Sequence, residues 1–131
     1  MEPFDRFTLC DERTERVCVQ FWVEYQDCRF TFSRLESGAE VLEEIGTDDY
    51  QVWIYFDVAN TERLIRLLTA EGDEIKKALL DKFNGLHGYG ELCAFCDEND
   101  VTYKGLIARE ADLDPITVNR LRGIRKPNPL K

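Results

Sequence analysis

The chain of 131 residues is 44% hydrophobic and 11% aromatic, which is enough apolar material for the core of one domain and excludes a disordered tail. Its 26 acidic and 17 basic side chains give a net charge of −9. No apolar run approaches the roughly 20 residues of a membrane-spanning helix, and no export leader follows Met1. Because the five cysteines are an odd number, reduced thiols are favoured, and we predict a cytoplasmic protein without a membrane partner.

Alternation of apolar and polar residues predicts a sheet. Residues 17–25 and 29–33 alternate with a period of two and follow a short apolar segment at 7–9, so the first three strands are predicted to form an antiparallel meander. Residues 51–58 alternate again, and their inward-facing set is Val52, Ile54, Phe56 and Val58. We therefore predict an α+β fold in which an antiparallel sheet of four to five strands packs against helices.

Helical periodicity and capping residues predict four helices. The first covers residues 38–45, and the second begins after the strand with Asn60 as its N-cap. The third follows Asp73, and the fourth covers residues 91–100. The Gly-rich stretch 87–90 is predicted to be a loop, because it lacks the spacing of a phosphate-binding motif.

The charges are unevenly distributed along the chain. Residues 1–100 carry 23 acidic and 10 basic side chains, whereas residues 101–131 carry 3 and 7. This difference predicts an acidic α+β domain over 1–110 and a basic C-terminal helix and tail over 111–131. One stretch contains eight acids and no Lys or Arg, namely Glu36, Glu40, Glu43, Glu44, Asp48, Asp49, Asp57 and Glu62. Such a field repels nucleic acid and membranes and attracts basic protein surfaces, and its alternative role is a solvated face.

The predicted binding site combines carboxylates of this acidic stretch with aromatic residues of the strand that follows. Its partner-binding residues are Glu40, Glu43, Glu44, Asp48, Asp49, Trp53 and Tyr55. The carboxylates would steer a basic protein target toward the site, and the rings would anchor it. Trp22 is a further candidate anchor, although a tryptophan more often packs in a core.

The pair Cys93 and Cys96 is the most chemically suggestive spacing in the acidic part. A redox pair requires a strand before it, and a zinc site requires two more ligands, which the sequence does not offer at a suitable spacing. We therefore predict that both cysteines pack as small apolar residues. His87, the only histidine, has no Ser or Cys partner at a diagnostic spacing. The sequence thus predicts no enzyme, no metal site and no cofactor.

Two segments resemble small cytosolic bacterial immunity proteins, which neutralise polymorphic toxins. The segments are ESGAEVLEEIGTDDYQVWIYFDVANTERLIRLL, residues 36–68, and LCAFCDENDVTYKG, residues 92–105. The resemblance implies inhibition by direct binding, commonly of a nuclease toxin, without catalysis. The acidic field agrees with this implication, because a nuclease presents cations to phosphate that carboxylates can occupy.

The C-terminal segment VTYKGLIAREADLDPITVNRLRGIRKPNP resembles the helix-turn-helix of repressor-type DNA-binding domains. In that pattern Ile107 and Ala108 belong to the first helix, and Asp114 and Pro115 begin the second. The resemblance implies a small DNA-binding regulator or antitoxin, and a phage-borne inhibitor of a nucleic-acid enzyme is a related alternative. Its implied DNA-contacting residues are Asn119, Arg120, Arg122, Arg125 and Lys126. The other interpretation is a last strand over 101–107 followed by a basic helix or tail.

Overall fold

A computed structural model of the chain describes residues 1–108. Within them, five strands form one antiparallel sheet in which each strand pairs with the next along the chain. The strands are β1 (Phe4–Arg13), β2 (Cys18–Gln26), β3 (Arg29–Ser37), β4 (Asp49–Tyr55) and β5 (Lys104–Ile107). The predicted α+β class and the meander of the first three strands are confirmed.

Four helices accompany the sheet in the described residues. They are α1 (Ala39–Ile45), α2 (Val58–Leu68), α3 (Ile75–Phe83) and α4 (Gly88–Glu98). The short helix α1 connects β3 to β4, and the other three lie between β4 and β5 in the sequence. Each of these three helices contributes fully buried side chains to the core, among them Leu64, Leu79 and Leu92. No helix in residues 1–108 is both long enough and apolar enough to cross a membrane.

The two faces of the sheet have different environments. Phe21 and Val23 of β2, Phe32 of β3, and Val52 and Ile54 of β4 are all part of the core that the helices complete. The residues that alternate with them point to the opposite face because successive side chains of a strand alternate. We call this opposite face the open face, because the core contains no residue from it.

Several helix ends differ from the predictions. The N-cap of α2 is Asp57, whose carboxylate accepts from the Asn60 amide at 2.8 Å, so Asn60 lies inside the first turn. Val58, predicted to face the core from a strand, is therefore exposed at the start of a helix. The N-cap of α3 is Glu74 rather than Asp73, because the Glu74 carboxylate reaches the Lys77 amide.

The loop predicted at residues 87–90 is wrong, since α4 begins at Gly88. A Cβ on Gly88 would lie 1.8 Å from the carbonyl oxygen of Phe83, the last residue of α3. Glycine is therefore required for α4 to start this close to the end of α3.

A second glycine fixes α1 against the sheet. Gly38 has a φ of +121°, and a Cβ there would lie 2.4 Å from the Arg16 carbonyl oxygen. Its amide donates to the Asp48 carbonyl at 2.9 Å, and the Glu40 amide donates to the Arg16 carbonyl at 3.0 Å. These bonds hold α1 at the end of the sheet where β3 ends and β4 begins.

The described chain ends beside β4. Ile107, which the helix-turn-helix pattern assigns to a first helix, lies in β5, and the Ala108 amide donates to the Gln51 carbonyl at 2.8 Å. The rest of that pattern, including Asn119, Arg120, Arg122, Arg125 and Lys126, lies outside the described residues, as does the basic segment predicted over 111–131.

The β2–β3 hairpin provides a test of the backbone. Its two turn residues, Asp27 and Cys28, have φ values of 53° and 60°, a left-handed conformation that costs a non-glycine residue about 1–2 kcal/mol. We predict that Cys28→Gly is more stable than Cys28→Ala by about 1 kcal/mol, as measured by urea unfolding. Both substitutions remove the thiol, so their difference reports the backbone alone. A less stable Cys28→Gly variant would contradict the turn conformation.

Candidate protein-binding site

An apolar row crosses the open face. The strand register aligns Trp22 with Ser33, Ser33 with Trp53, and Trp53 with Leu106, so these four residues lie side by side across β2, β3, β4 and β5. We call them the tryptophan row. Trp22 is buried but lies outside the helix-covered core, and Trp53 is half-buried. The small Ser33 side chain between the two tryptophans is only 3% exposed.

The row has both covered and accessible parts. The Arg6 guanidinium lies over the Trp22 ring, 3.8 Å from its centroid, which is the geometry of a cation–π contact. At the other end, Leu106 is 42% exposed, and the neighbouring Tyr55 is 39% exposed. The accessible apolar surface of the open face is therefore concentrated on β4 and β5.

The predicted carboxylates lie at one end of this face, which we call the acidic end. Glu40, Glu43 and Glu44 are exposed on α1, and Asp48 is exposed in the turn after it. Asp49 begins β4 and lies on the same face of that strand as Trp53 and Tyr55. At about 3.3 Å per residue, Asp49 is about 13 Å from Trp53 and about 20 Å from Tyr55 along the strand. The structure thus places the predicted acids at one end of the sheet and the predicted rings along the open face of β4, from its centre to its far end.

Several acids of the base-free stretch interact with other groups of the protein, and Asp49 is one of them. Glu43 forms an exposed ion pair with Arg16 at 2.5 Å, and Glu36 lies in the interior beside Arg34. Hydrogen bonds from the backbone and side chain of Asn60 lower the pKa of Asp57. These contacts leave Glu40, Glu44 and Asp48 as the exposed carboxylates of the acidic end without an ion pair at 4.0 Å or less among residues 1–108.

A polar network that the sequence analysis did not predict lies on the helix-covered side. The Arg34 guanidinium donates to the Glu36 carboxylate at 2.7 Å, and the Tyr50 hydroxyl donates to the same carboxylate oxygen. Arg34 also donates to the Tyr50 hydroxyl and lies 5.8 Å from the centroid of the Tyr89 ring. The network therefore links β3, β4 and α4 through one half-buried cation.

Burial explains the protonation of this network. It raises the pKa of Tyr50 and of Tyr89 well above the ordinary tyrosine value, although Arg34 opposes the rise in both. Both hydroxyls thus stay neutral, and Arg34 balances the charge of Glu36. The alternation of the sequence could have predicted that Arg34 and Glu36 face the core, because they continue the inward set of Phe30 and Phe32. The predicted strand stopped at residue 33 and therefore missed them.

The remaining candidates for chemistry are separated. Cys93 and Cys96 are 1% and 0% exposed within the core, as their predicted packing role requires, and none of the five cysteines forms a disulfide within residues 1–108. His87 is exposed just before α4 and makes no side-chain capping bond. Among residues 1–108, no three His, Cys, Asp or Glu side chains come together in an arrangement that could hold a metal ion.

The two tyrosines predict a loss of stability in alkali. A group whose pKa is raised in the folded state stabilises the folded protein. This stabilisation is fully present below the pKa of the group in the unfolded chain, here about 10, and is lost as the pH rises further. Above pH 10, each tyrosine should lower the unfolding free energy by about 1.4 kcal/mol per pH unit. Between pH 9 and 11 the unfolded tyrosine is on average about half ionised, so we predict that Tyr50→Phe reduces the mean slope over this range by about 0.7 kcal/mol per pH unit, measured by urea unfolding. Identical slopes would mean that Tyr50 ionises freely in the folded protein.

Comparisons of the chain with protein-family models, with curated proteins and with solved structures each find no match. The resemblances to immunity proteins and to helix-turn-helix domains therefore stay predictions.

Proposed function

We propose that this protein is a non-catalytic inhibitor of the immunity type, which binds a basic protein such as a nuclease toxin through the open face of its sheet. The observation that carries the proposal is the tryptophan row, which places Trp22, Trp53 and Leu106 side by side outside the core. Tryptophan and tyrosine anchor protein interfaces because they bury a large area and lose few rotamers.

The acidic end supports a basic target. Glu40, Glu44 and Asp48 are exposed beside the start of β4, whose open-face residues run from Asp49 to Tyr55. A nuclease presents cations to bind phosphate, and carboxylates that complement these cations accelerate encounter and orient the complex. The acidic end would therefore act mainly on the association rate, and the rings mainly on the dissociation rate.

The proposal is tested by capture followed by inhibition. The full chain, a row variant (Trp53→Ala with Leu106→Ala) and a control variant (Leu80→Ala with Leu86→Ala) are immobilised and exposed to lysate of the source organism. Leu80 and Leu86 are also exposed, at 41% and 46%, but lie on α3 and in the connection between α3 and α4. The target should be retained by the parent and the control and lost by the row variant.

An activity assay of the captured target then determines whether binding also inhibits it. The purified target should lose its enzymatic activity as the parent protein is added at a ratio of one to one. A target that binds but stays fully active would reject the inhibitor function. A parallel gel-shift assay with upstream DNA tests the regulator implied by Asn119 and Arg120. A sequence-specific shift whose affinity falls steeply with salt would favour that alternative.

For the ring at the centre of the face, we predict that Trp53→Ala accelerates dissociation from the target by about 30-fold. Truncation of a desolvated anchor costs about 2 kcal/mol or more, which corresponds to this factor. The measurement is surface plasmon resonance with Leu80→Ala as the control, whose dissociation rate should match that of the parent. Equal rates for both variants would show that the target does not contact the row.

For the acidic end, we predict that Glu40→Lys, Glu44→Lys and Asp48→Lys together slow association and flatten its dependence on salt. Glu43 is kept because it is paired with Arg16. The control reverses three exposed acids outside the acidic end and has the same net charge. They are Glu62 on α2, Glu71 in the turn between α2 and α3, and Glu98 at the end of α4.

Both triple variants should fold normally, because exposed substitutions usually change stability by at most about 0.5 kcal/mol each. Stopped-flow association at several salt concentrations compares them with the parent. If the two triple variants associate equally slowly, net charge alone steers the target, and the acidic end is not part of the site.

A further inference from the structure

A cavity lies at the end of the open face away from the acidic end. It has a volume of about 350 Å³ and is formed by β3, β4, the start of β5 and the segment before β5. Its aromatic wall consists of Tyr55, Phe56 and Tyr103, and its charged residues are Arg29, Asp57 and Lys104. A volume of this size accommodates a small ligand or the end of a side chain.

The charges of the cavity are not balanced. Within residues 1–108, neither Arg29 nor Lys104 forms an ion pair at 4.0 Å or less, although acidic side chains there outnumber basic ones by 23 to 11. Among residues 1–108, Asp57 is the only acid in the lining, and its Oδ1 already accepts from the Asn60 amide at 2.8 Å and from Asn60 Nδ2 at 3.0 Å. The nearby charge of Arg29 contributes to lowering the pKa of Asp57, after these hydrogen bonds. Among the described residues the cavity thus has two cations and one anion, and this excess of positive charge favours an incoming anion.

The register connects this cavity to the tryptophan row. Thr31 pairs with Tyr55, and Tyr55 pairs with Lys104, so these residues form the next row on the open face. They are two positions from the tryptophan row, which is about 7 Å along the strands. The open face thus carries carboxylates at one end, apolar rings at the centre and cations at the other end.

We propose that the cavity binds a carboxylate of the protein partner, either an acidic side chain or the chain terminus. This inference rests on the proposed function for the identity of the partner. Arginine is suited to a carboxylate because its planar fork donates two parallel hydrogen bonds, and the aromatic wall contacts the apolar stem. Opposite charges about 20 Å apart on one face permit one orientation of the partner, since reversal would bring like charges together.

Small probes test the cavity without the partner. The full chain, labelled with ¹⁵N, is titrated with N-acetylglutamic acid α-amide, a side-chain carboxylate, and with N-acetylphenylalanine, a terminal carboxylate. The uncharged controls are N-acetylglutamine amide and N-acetylphenylalanine amide. At least one carboxylate should shift the amides of Thr31, Tyr55 and Lys104 saturably, and the probe that binds identifies the source. Absence of a saturable shift, or equal shifts with the uncharged analogue, would overturn the proposal.

Two variants locate the binding. Arg29→Gln with Lys104→Gln should abolish the shifts, whereas Arg6→Gln, which removes the cation over Trp22, should leave them unchanged. Both cavity residues are exposed, so the double variant is expected to have the same unfolding free energy as the parent. If it does not fold, Lys104→Gln alone should weaken the binding of the probe severalfold. Shifts that persist in the folded cavity variants would contradict the assignment.

The purified target separates this inference from the proposed function. Arg29→Gln with Lys104→Gln should weaken its binding by about tenfold through loss of charge complementarity. If Trp53→Ala weakens binding and the cavity variant does not, the open face is the interface and the cavity inference fails. If no target depends on the tryptophan row, the proposed function fails, and the probe titration still determines whether the cavity binds a carboxylate.

Discussion

Burial of one face of the sheet beneath three helices is the constraint on which the rest of this structure depends. Phe32 is at its centre, fully buried, with ring contacts to Phe21, Phe30 and Phe56 at centroid distances of 5.6–6.0 Å. Each such side chain stabilises the fold by about 1.5–3 kcal/mol through burial, and each ring pair adds about 0.5–1.5 kcal/mol. A shift of register by one residue would expose all of them, so the alignment of β2, β3 and β4 is strongly determined.

The fixed register also determines the composition of the open face. Because Phe32 and Ile54 must point toward the helices, Ser33 and Trp53 must point away from them, beside Trp22. A serine between two tryptophans leaves room for the rings to lie over it, which agrees with its low exposure. The same geometry arranges charge along β4, from Asp49 at one end to Tyr55 beside Lys104 at the other. The proposed interface is thus a consequence of how the core is packed.

The acidic stretch has several physical roles that its composition does not distinguish. Glu36 neutralises a half-buried cation, Asp57 caps α2, and Glu43 pairs with Arg16 across the contact between α1 and the end of β1–β2. Loss of Arg34 would leave the half-buried Glu36 carboxylate without its ion-pair partner, which destabilises the fold because a partly desolvated charge is left uncompensated. Exposed carboxylates such as Glu40 and Glu44 contribute little to stability and are free to serve association.

Local sequence patterns were sufficient for the fold class, for the meander of the first three strands and for the inward orientation of Val52, Ile54 and Phe56, because alternation is a property of neighbouring residues. They placed Trp53 and Tyr55 on one strand for the same reason, whereas Asp49, which preceded the predicted strand, begins β4 in the structure. Tertiary structure decided the rest. Gly88 begins a helix because only a glycine can approach the Phe83 carbonyl, and Asp57 rather than Asn60 caps α2. The pairing of Trp22 with Ser33 and Trp53, the network around Arg34, and the cavity between Arg29 and Lys104 join residues far apart in the chain. Such contacts form only when strand register and helix packing are fixed together, so no single stretch of sequence encodes them.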